Sequence, residues 1–243
     1  MSRILCWFSC GATSAVAAYL TLKKNPDAEV VYCDTGSEHP DNIRFLADCE
    51  RWYGKKITVI KSEEYANVDE VIERRRYISG IEGAPCTGEL KRKPRLAFQL
   101  PDDIHVFGYH VEEKRRLKDF IAANPELTVS TPLIEASLNH NDCLAMLAQV
   151  GIALPVMYEL GFNNNNCIAC NKASSPGYWN MTRTHFPEAF ARRAAQSRAL
   201  GAKMVELKGK RIFLDELPEG EMGRYRKEPR MDCNVFCHIA LNQ

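Results

Sequence analysis

The alternation of short apolar runs with stretches of helical period through the first half of the chain is its strongest constraint. "RILCWF" reads as a strand, and "GATSAVAAYLTLKK" follows as a helix because Ala15, Ala18, Tyr19 and Leu22 recur at helical spacing. "AEVVYC" is a second buried run that ends in Asp34-Thr35-Gly36, where glycine can make a tight exit turn. "PDNIRFLADCERWYG" returns to helical period, with Pro40 suited to its first turn and Gly54 to its end. "KITVI" is a third strand, "NVDEVIERRRYI" a helix with a basic end, and "DIHVFGY" a fourth strand ending at Gly108. Strands joined by helices cannot be hairpins, so the pattern predicts an α/β chain: a Rossmann-like parallel sheet with helices on both faces.

Beyond residue 130 the texture changes. "NHNDCLAMLAQVG" and "FPEAFARRAAQSRALG" read as helices, while "GKRIFLDEL" is at most one arm of a hairpin. Cys167, Cys170, Cys233 and Cys237 all fall in this part, which predicts a C-terminal cysteine-rich helical appendage. Residues 1–160 would then form the α/β domain and residues 161–243 a cysteine-rich metal-binding region. With 243 residues, 45% of them hydrophobic, the chain can bury one substantial core and a small addition to it.

No run approaches the roughly 18 apolar residues of a membrane span, and "MSRILCWFSCGATS" lacks the features of a signal peptide. A cytoplasmic protein with no membrane partner is expected. In that compartment thiols stay reduced, so the ten cysteines are not expected to form a disulfide framework, and some are expected to bind metal. The formal net charge of +1 gives no global pull toward a polyanion. Basic runs at Arg74 to Arg76, Lys91 to Lys93, Lys114 to Arg116 and Arg224 to Lys227 are either solvated faces or local patches for one.

Two stretches carry chemistry. "SCGATS", residues 9–14, sits where a strand hands over to a helix; it is either an ordinary small-residue turn or an anion cradle built from N–H groups at a helix start. Ligands of open parallel sheets settle beyond the carboxyl ends of the strands, and "DTGSEHP" and "GYHVEEKRR" supply two more polar ends there. The second stretch is "FNNNNCIAC". Its Cys167-x-x-Cys170 pair and the later Cys233-x-x-x-Cys237 pair have spacings that let two sulfurs reach one metal, and soft thiolates select zinc or an iron–sulfur cluster. The asparagines suit a tight polar turn. Cys6, Cys33, Cys49 and Cys143 read as small core residues, and His105 as a satisfied buried histidine. His110 and Glu113, past the fourth strand, are candidates to touch a ligand, and His39 reads as a surface or capping residue.

Five pieces in order, "FSCGATSAVAAYL", "VVYCDTGSEHPDNIRFL", "APCTGELKRKP", "GYHVEEKRRL" and "PLIE" with "LPVMYELGFNNNNCIACNKA", cover most of residues 4–172. Together the chain resembles the phosphoadenylylsulfate (PAPS) reductase family of the PP-loop ATP pyrophosphatase superfamily, whose fold is of the adenine nucleotide alpha hydrolase type. The likeness is nearest to members associated with phages and with DNA phosphorothioation.

The resemblance implies that the loop Ser9, Cys10, Gly11, Ala12, Thr13 and Ser14 holds phosphates. It implies that Asp34, Thr35, Gly36 and Gly108 lie beside the nucleotide, and that Lys91 and Arg116 supply positive charge. It also implies a 4Fe-4S cluster, with zinc as the alternative, on a set drawn from Cys86, Cys167, Cys170, Cys233 and Cys237. One departure matters: the superfamily loop reads Ser-Gly-Gly-x-Asp-Ser, whereas here Cys10 replaces the first glycine and Thr13 the aspartate. That aspartate helps to place Mg²⁺ on ATP, and Asp34 is the nearest substitute as a catalytic carboxylate.

The activity implied is adenylation of an acceptor by ATP with release of pyrophosphate, serving sulfur transfer. The partners implied are an adenine nucleotide, a nucleic-acid acceptor such as tRNA or DNA, and a sulfur-donor protein such as a cysteine desulfurase. The alternatives are a sulfonucleotide (PAPS or APS) reductase, for which Asp232-Cys233-Asn234-Val235 is a poor match to the nucleophile motif, and a non-catalytic nucleotide-binding subunit.

Overall fold

The computed structural model describes residues 2–80 and 83–223 of the chain. Five parallel strands, β1 (Ile4–Phe8), β2 (Glu29–Asp34), β3 (Ile57–Lys61), β4 (Ile104–Val106) and β5 (Thr128–Ser130), lie in the order β3-β2-β1-β4-β5. β1 is central, with Leu5 opposite Glu29 on one side and His105 on the other. Strand side chains alternate between faces. Cys6, Phe8, Val30 and Tyr32 therefore enter one core layer, while Leu5, Trp7, Val31 and Cys33 enter the other. β3 is an edge, and its Val59 is half exposed.

The first layer is closed by α1 (Ala12–Lys24) and α2 (Asn42–Tyr53). α1 is buried almost all round through Ala12, Ala15, Val16, Ala17 and Ala18, because small side chains let it pack between the sheet and later helices. α2 starts at Asn42, so Pro40 stands just before it rather than in its first turn.

After β3 the chain leaves the sheet as α3 (Val68–Arg75). It then runs through α4 (Pro85–Thr87), a π-helical turn at Gly88–Arg92, and α5 (Lys93–Phe98). Past β4 come α6 (Lys114–Ala123), α7 (Pro132–Glu135), α8 (His140–Gln149) and α9 (Val156–Glu159). Leu133 of α7 and Cys143 and Leu147 of α8 join the α1 layer, whereas Phe98, Leu117 and Phe120 cover the opposite face. Helices on both faces of a parallel sheet are thus observed.

The remaining described residues form α10 (Pro176–His185), α11 (Pro187–Ala199) and a two-stranded ribbon of β6 (Val205–Leu207) and β7 (Lys210–Ile212). Their core is shared. Tyr65, Val68, Val71, Ile72, Ile78 and Leu90 pack with Met157, Phe162, Trp179, Phe190, Val205 and Leu214, so residues from 161 onward close over the α3 to α5 excursion. No helix among the described residues is long and apolar enough to cross a membrane.

Candidate functional site

β1 and β4 are neighbours whose connections leave in opposite directions, and the gap beyond their carboxyl ends is where open α/β sheets take ligands. A cleft opens there. Ser9, Gly11, Thr13 and Ser14 form one wall, Gly108, His110, Glu113 and Arg116 another, and Lys91, His140, Tyr158 and Asn164 to Asn166 line the rest.

The loop before α1 is tightly wound. The N–H groups of Ser9 (3.1 Å) and Gly11 (3.3 Å) both point at Ser14 Oγ, which donates in turn to the Gly11 carbonyl at 2.9 Å. Ser14 Oγ therefore collects donors where an anionic oxygen would find them. Cys10, between those two amides, has a left-handed backbone (φ 53°) and is fully buried. Gly108 abuts the same loop: a Cβ there would fall 2.8 Å from Ser14 N and from the Thr13 carbonyl carbon. Glycine is required by this close backbone approach.

Asp34 and Gly36 shape a turn beside the cleft rather than its lining. Asp34 Oδ1 accepts the Gly36 N–H at 2.8 Å, and Gly36 (φ 63°) packs on the Ala66 carbonyl. Thr35 is buried, with its Oγ1 3.2 Å from Cys167 Sγ. Cys10 and Ala12 likewise lie under the loop, inside the core.

Lys91 reaches the cleft from the π-helical turn. Its Nζ donates to Glu38 Oε1 at 3.3 Å, and both side chains are about nine-tenths buried or more, at 7% and 6% exposed. Glu38 also accepts from Tyr32 Oη and from Asn42 Nδ2 (3.0 Å). Asn42 Oδ1 takes a 2.7 Å bond from Asn165 Nδ2, which bonds the Cys10 carbonyl at 2.8 Å as well. A continuous polar chain thus runs from Lys91 to the loop before α1.

Across the cleft Arg116 pairs with Glu113 and stacks over Tyr109, with its Cζ 4.9 Å from the ring centre. Glu113 also receives His110 Nε2 at 3.3 Å. Burial, together with the neighbouring His110, lowers the His140 pKa from its ordinary value, so its imidazole is neutral at pH 7. Burial pushes Tyr158 up to about 12, which keeps its hydroxyl protonated. Glu113 is the one carboxylate lining the cleft among the described residues.

Cys86, Cys167 and Cys170 are buried in the core that α3 shares with α10 and α11. Ala169, between the pair, is left-handed (φ 52°), and its carbonyl accepts from Arg193 Nε at 3.3 Å. Arg193 is 3% exposed and pairs with Asp69 at 3.0 Å. Tyr178 Oη accepts the Cys170 N–H at 2.7 Å. No group of three or more His, Cys, Asp or Glu side chains among the described residues is arranged to hold a metal ion. Cys233 and Cys237, and the basic run from Arg224 to Lys227, lie outside the described residues.

Of the other single residues, His105 accepts from Trp7 Nε1 at 3.0 Å and is buried. His39 Nδ1 caps the Asp41 N–H at 3.1 Å. Cys6, Cys33, Cys49 and Cys143 are core residues. Sequence reasoning missed Tyr32, Glu38, Asn42, His140, Tyr158 and Asn165. Glu38, in "DTGSEHP", and the asparagine run were visible signals whose partners were not.

A parallel sheet with a small-residue loop at its switch point defines an open α/β fold with a cleft where such folds take ligands. Residues 3–83 match the family model of the phosphoadenosine phosphosulfate reductase domain. The structure is similar to a PAPS reductase from Candida auris solved as a phosphate complex. The TM-score is 0.53 and the identity 12%, covering 69% of this chain and 82% of that one. An uncharacterized protein of Methanocaldococcus jannaschii is 27% identical over 194 residues, 74% of this chain. The match spans 38% of that relative's length. The family model thus covers about a third of the chain, and beyond it the likeness to a PAPS reductase is one of fold.

Proposed function

We propose that the protein is a PP-loop enzyme that binds ATP in the cleft and adenylates an acceptor, releasing pyrophosphate, as the activating step of a sulfur transfer. The observation that carries this reading is the convergence on one cleft of the Ser9 to Ser14 loop, Lys91 and Arg116, with Glu38 and Glu113 as the partners of the two cations. Such a lining suits a polyphosphate. In the proposed step the acceptor oxygen attacks the α-phosphorus, the bond to the bridging oxygen breaks, and pyrophosphate leaves with that electron pair. Loop N–H groups, Lys91 and Arg116 stabilise the charge that develops. Neutral His140 is suited to take the proton of the acceptor hydroxyl.

With Thr13 in place of the superfamily's aspartate and Asp34 held in its turn, Mg²⁺ would rest mainly on phosphate oxygens and Glu113. The soft thiolates of Cys86, Cys167 and Cys170, completed by Cys233 or Cys237, would suit a 4Fe-4S cluster or zinc by their chemistry, although the described residues present no finished ligand set.

For the acceptor, a small molecule is favoured over tRNA or DNA. Arg74 is paired with Glu64 and Glu70, Arg75 with Glu89, Lys91 with Glu38, and Lys93 with Glu64 and Glu89, so much of the charge of these two runs is held in local ion pairs. A donor such as a cysteine desulfurase would supply the sulfur.

The test is to incubate anaerobically purified protein with ATP or with PAPS and to assay pyrophosphate and sulfite. Pyrophosphate from ATP is expected. Sulfite from PAPS in the presence of thioredoxin would replace this reading with the reductase, and tight ATP binding without turnover would replace it with a non-catalytic subunit.

A further inference from the structure

The asparagine run before the Cys-x-x-Cys pair has one member whose contacts explain the irregular phosphate loop. Cys10 adopts a left-handed backbone that glycine takes freely and that a residue with a Cβ adopts only under constraint. Its thiol packs in the core and makes only a long contact, 3.9 Å, with the Asn42 carbonyl. The Cys10 carbonyl, in contrast, receives the Asn165 amide at 2.8 Å across 155 residues of sequence.

The direction of this bond is forced by its surroundings. Glu38 Oε2 accepts from Asn42 Nδ2 at 3.0 Å, which turns Asn42 Oδ1 toward Asn165. The Cys10 carbonyl is a second acceptor on the same side, so both N–H bonds of Asn165 are used and its amide has one orientation. Asn165 is itself 7% exposed.

We infer that Asn165 is a positioning residue of the phosphate loop: its side-chain amide clamps the carbonyl of Cys10 and holds a cysteine in a conformation ordinarily reserved for glycine. The flanking amides of Ser9 and Gly11 point together at Ser14 Oγ because the peptide between them is turned this way. The clamp itself stands apart from the ATP reading; its effect on ATP affinity rests on that reading.

The test is a double-mutant cycle of Asn165→Ala and Cys10→Gly, followed by urea unfolding and by ATP calorimetry. In the native background Asn165→Ala is expected to shift the unfolding equilibrium about threefold or less toward the unfolded state, because Cys10, once released, leaves its strained backbone and offsets part of the loss. With glycine at position 10 the bonds to the carbonyl and to Asn42 are both still lost and no strain is relieved, so the same change is expected to shift it about tenfold. ATP affinity should fall with Asn165→Ala alone and return in the double variant.

Equal effects of Asn165→Ala in both backgrounds would overturn the clamp and leave Asn165 an ordinary buried hydrogen-bonding residue. If Asn165→Ala fails to fold, Asn165→Ser takes its place in the cycle, where a larger effect with glycine at position 10 supports the clamp and equal effects overturn it. Coupling in unfolding with no ATP binding by any variant would retain the clamp and refute the nucleotide reading.

Discussion

Replacing Gly108 by alanine tests whether the loop at residues 9–14 is set by the strand beside it. The added Cβ would lie 2.8 Å from Ser14 N and from the Thr13 carbonyl carbon, and 3.0 Å from Ser14 Cα. All three are backbone atoms of the first turn of α1, so no rotamer change relieves the contact. Either the end of β4 or the start of α1 must retreat by several tenths of an ångström. Overpacking of this kind costs about 1–3 kcal/mol. Because N–H bonds to phosphate are directional, ATP affinity should fall about tenfold or more, each factor of ten being about 1.4 kcal/mol.

The assay pairs urea unfolding with calorimetry of ATP binding. Gly88→Ala is its control, since a Cβ there meets only the Arg92 side chain at 3.9 Å in a helical backbone. That control should be neutral or more stable by up to about 1 kcal/mol. If Gly108→Ala changes neither midpoint nor affinity, the loop is not braced by β4 and the reasoning fails.

Two further predictions concern buried charge. Lys91→Met leaves the buried Glu38 carboxylate without its cation and should destabilise the fold by about 3–5 kcal/mol, while adding Glu38→Gln should recover most of this without restoring ATP affinity; a double variant no more stable than the single would refute the pairing. His105 has its pKa lowered to about 4, chiefly by burial, against 6.5 for an ordinary histidine. Its neutral form accepts the Trp7 bond, so the unfolded chain binds the extra proton between those values. Its contribution is complete above about pH 6.5 and should decline by about 3 kcal/mol as pH falls to 4. His105→Gln should flatten that slope in denaturation curves across the range, and an unchanged slope would count against it.

What the sequence reveals here depends on range. Runs such as "ILCWF" and "EVVYC" are apolar on both faces, which only a sheet covered on both sides can bury, so four of the five strands and the helices between them are readable. β5 is three residues, "TVS", and α10 reads "PGYWNMTRTH" with no apolar period, so neither announces itself. The loop residues, Lys91, Arg116 and Gly108 are legible at the site because each sits at a strand end or in a recognisable segment. Asn165, Asn42 and Glu38 are not, because polar residues in polar stretches look solvated until the fold brings a carbonyl or an ammonium group against them. Cysteine spacing showed which thiols could cooperate, but only packing shows Cys86 entering the same core as Cys167 and Cys170.

The shared core of residues 65–90 and 157–217 has a consequence during synthesis. Val68, Val71, Ile72, Ile78 and Leu90 emerge from the ribosome long before Trp179, Phe190 and Leu214, the side chains that bury them. Roughly 130 residues separate the ends of the two segments, and at ~5–20 residues per second that is on the order of 6–25 s of exposed apolar surface. The sheet cannot shield it, because α3 leads away from its edge strand. The nascent chain should therefore be a chaperone client over this interval, and a ribosome stalled between Leu90 and Trp179 should display a binding epitope that vanishes once Leu214 has emerged.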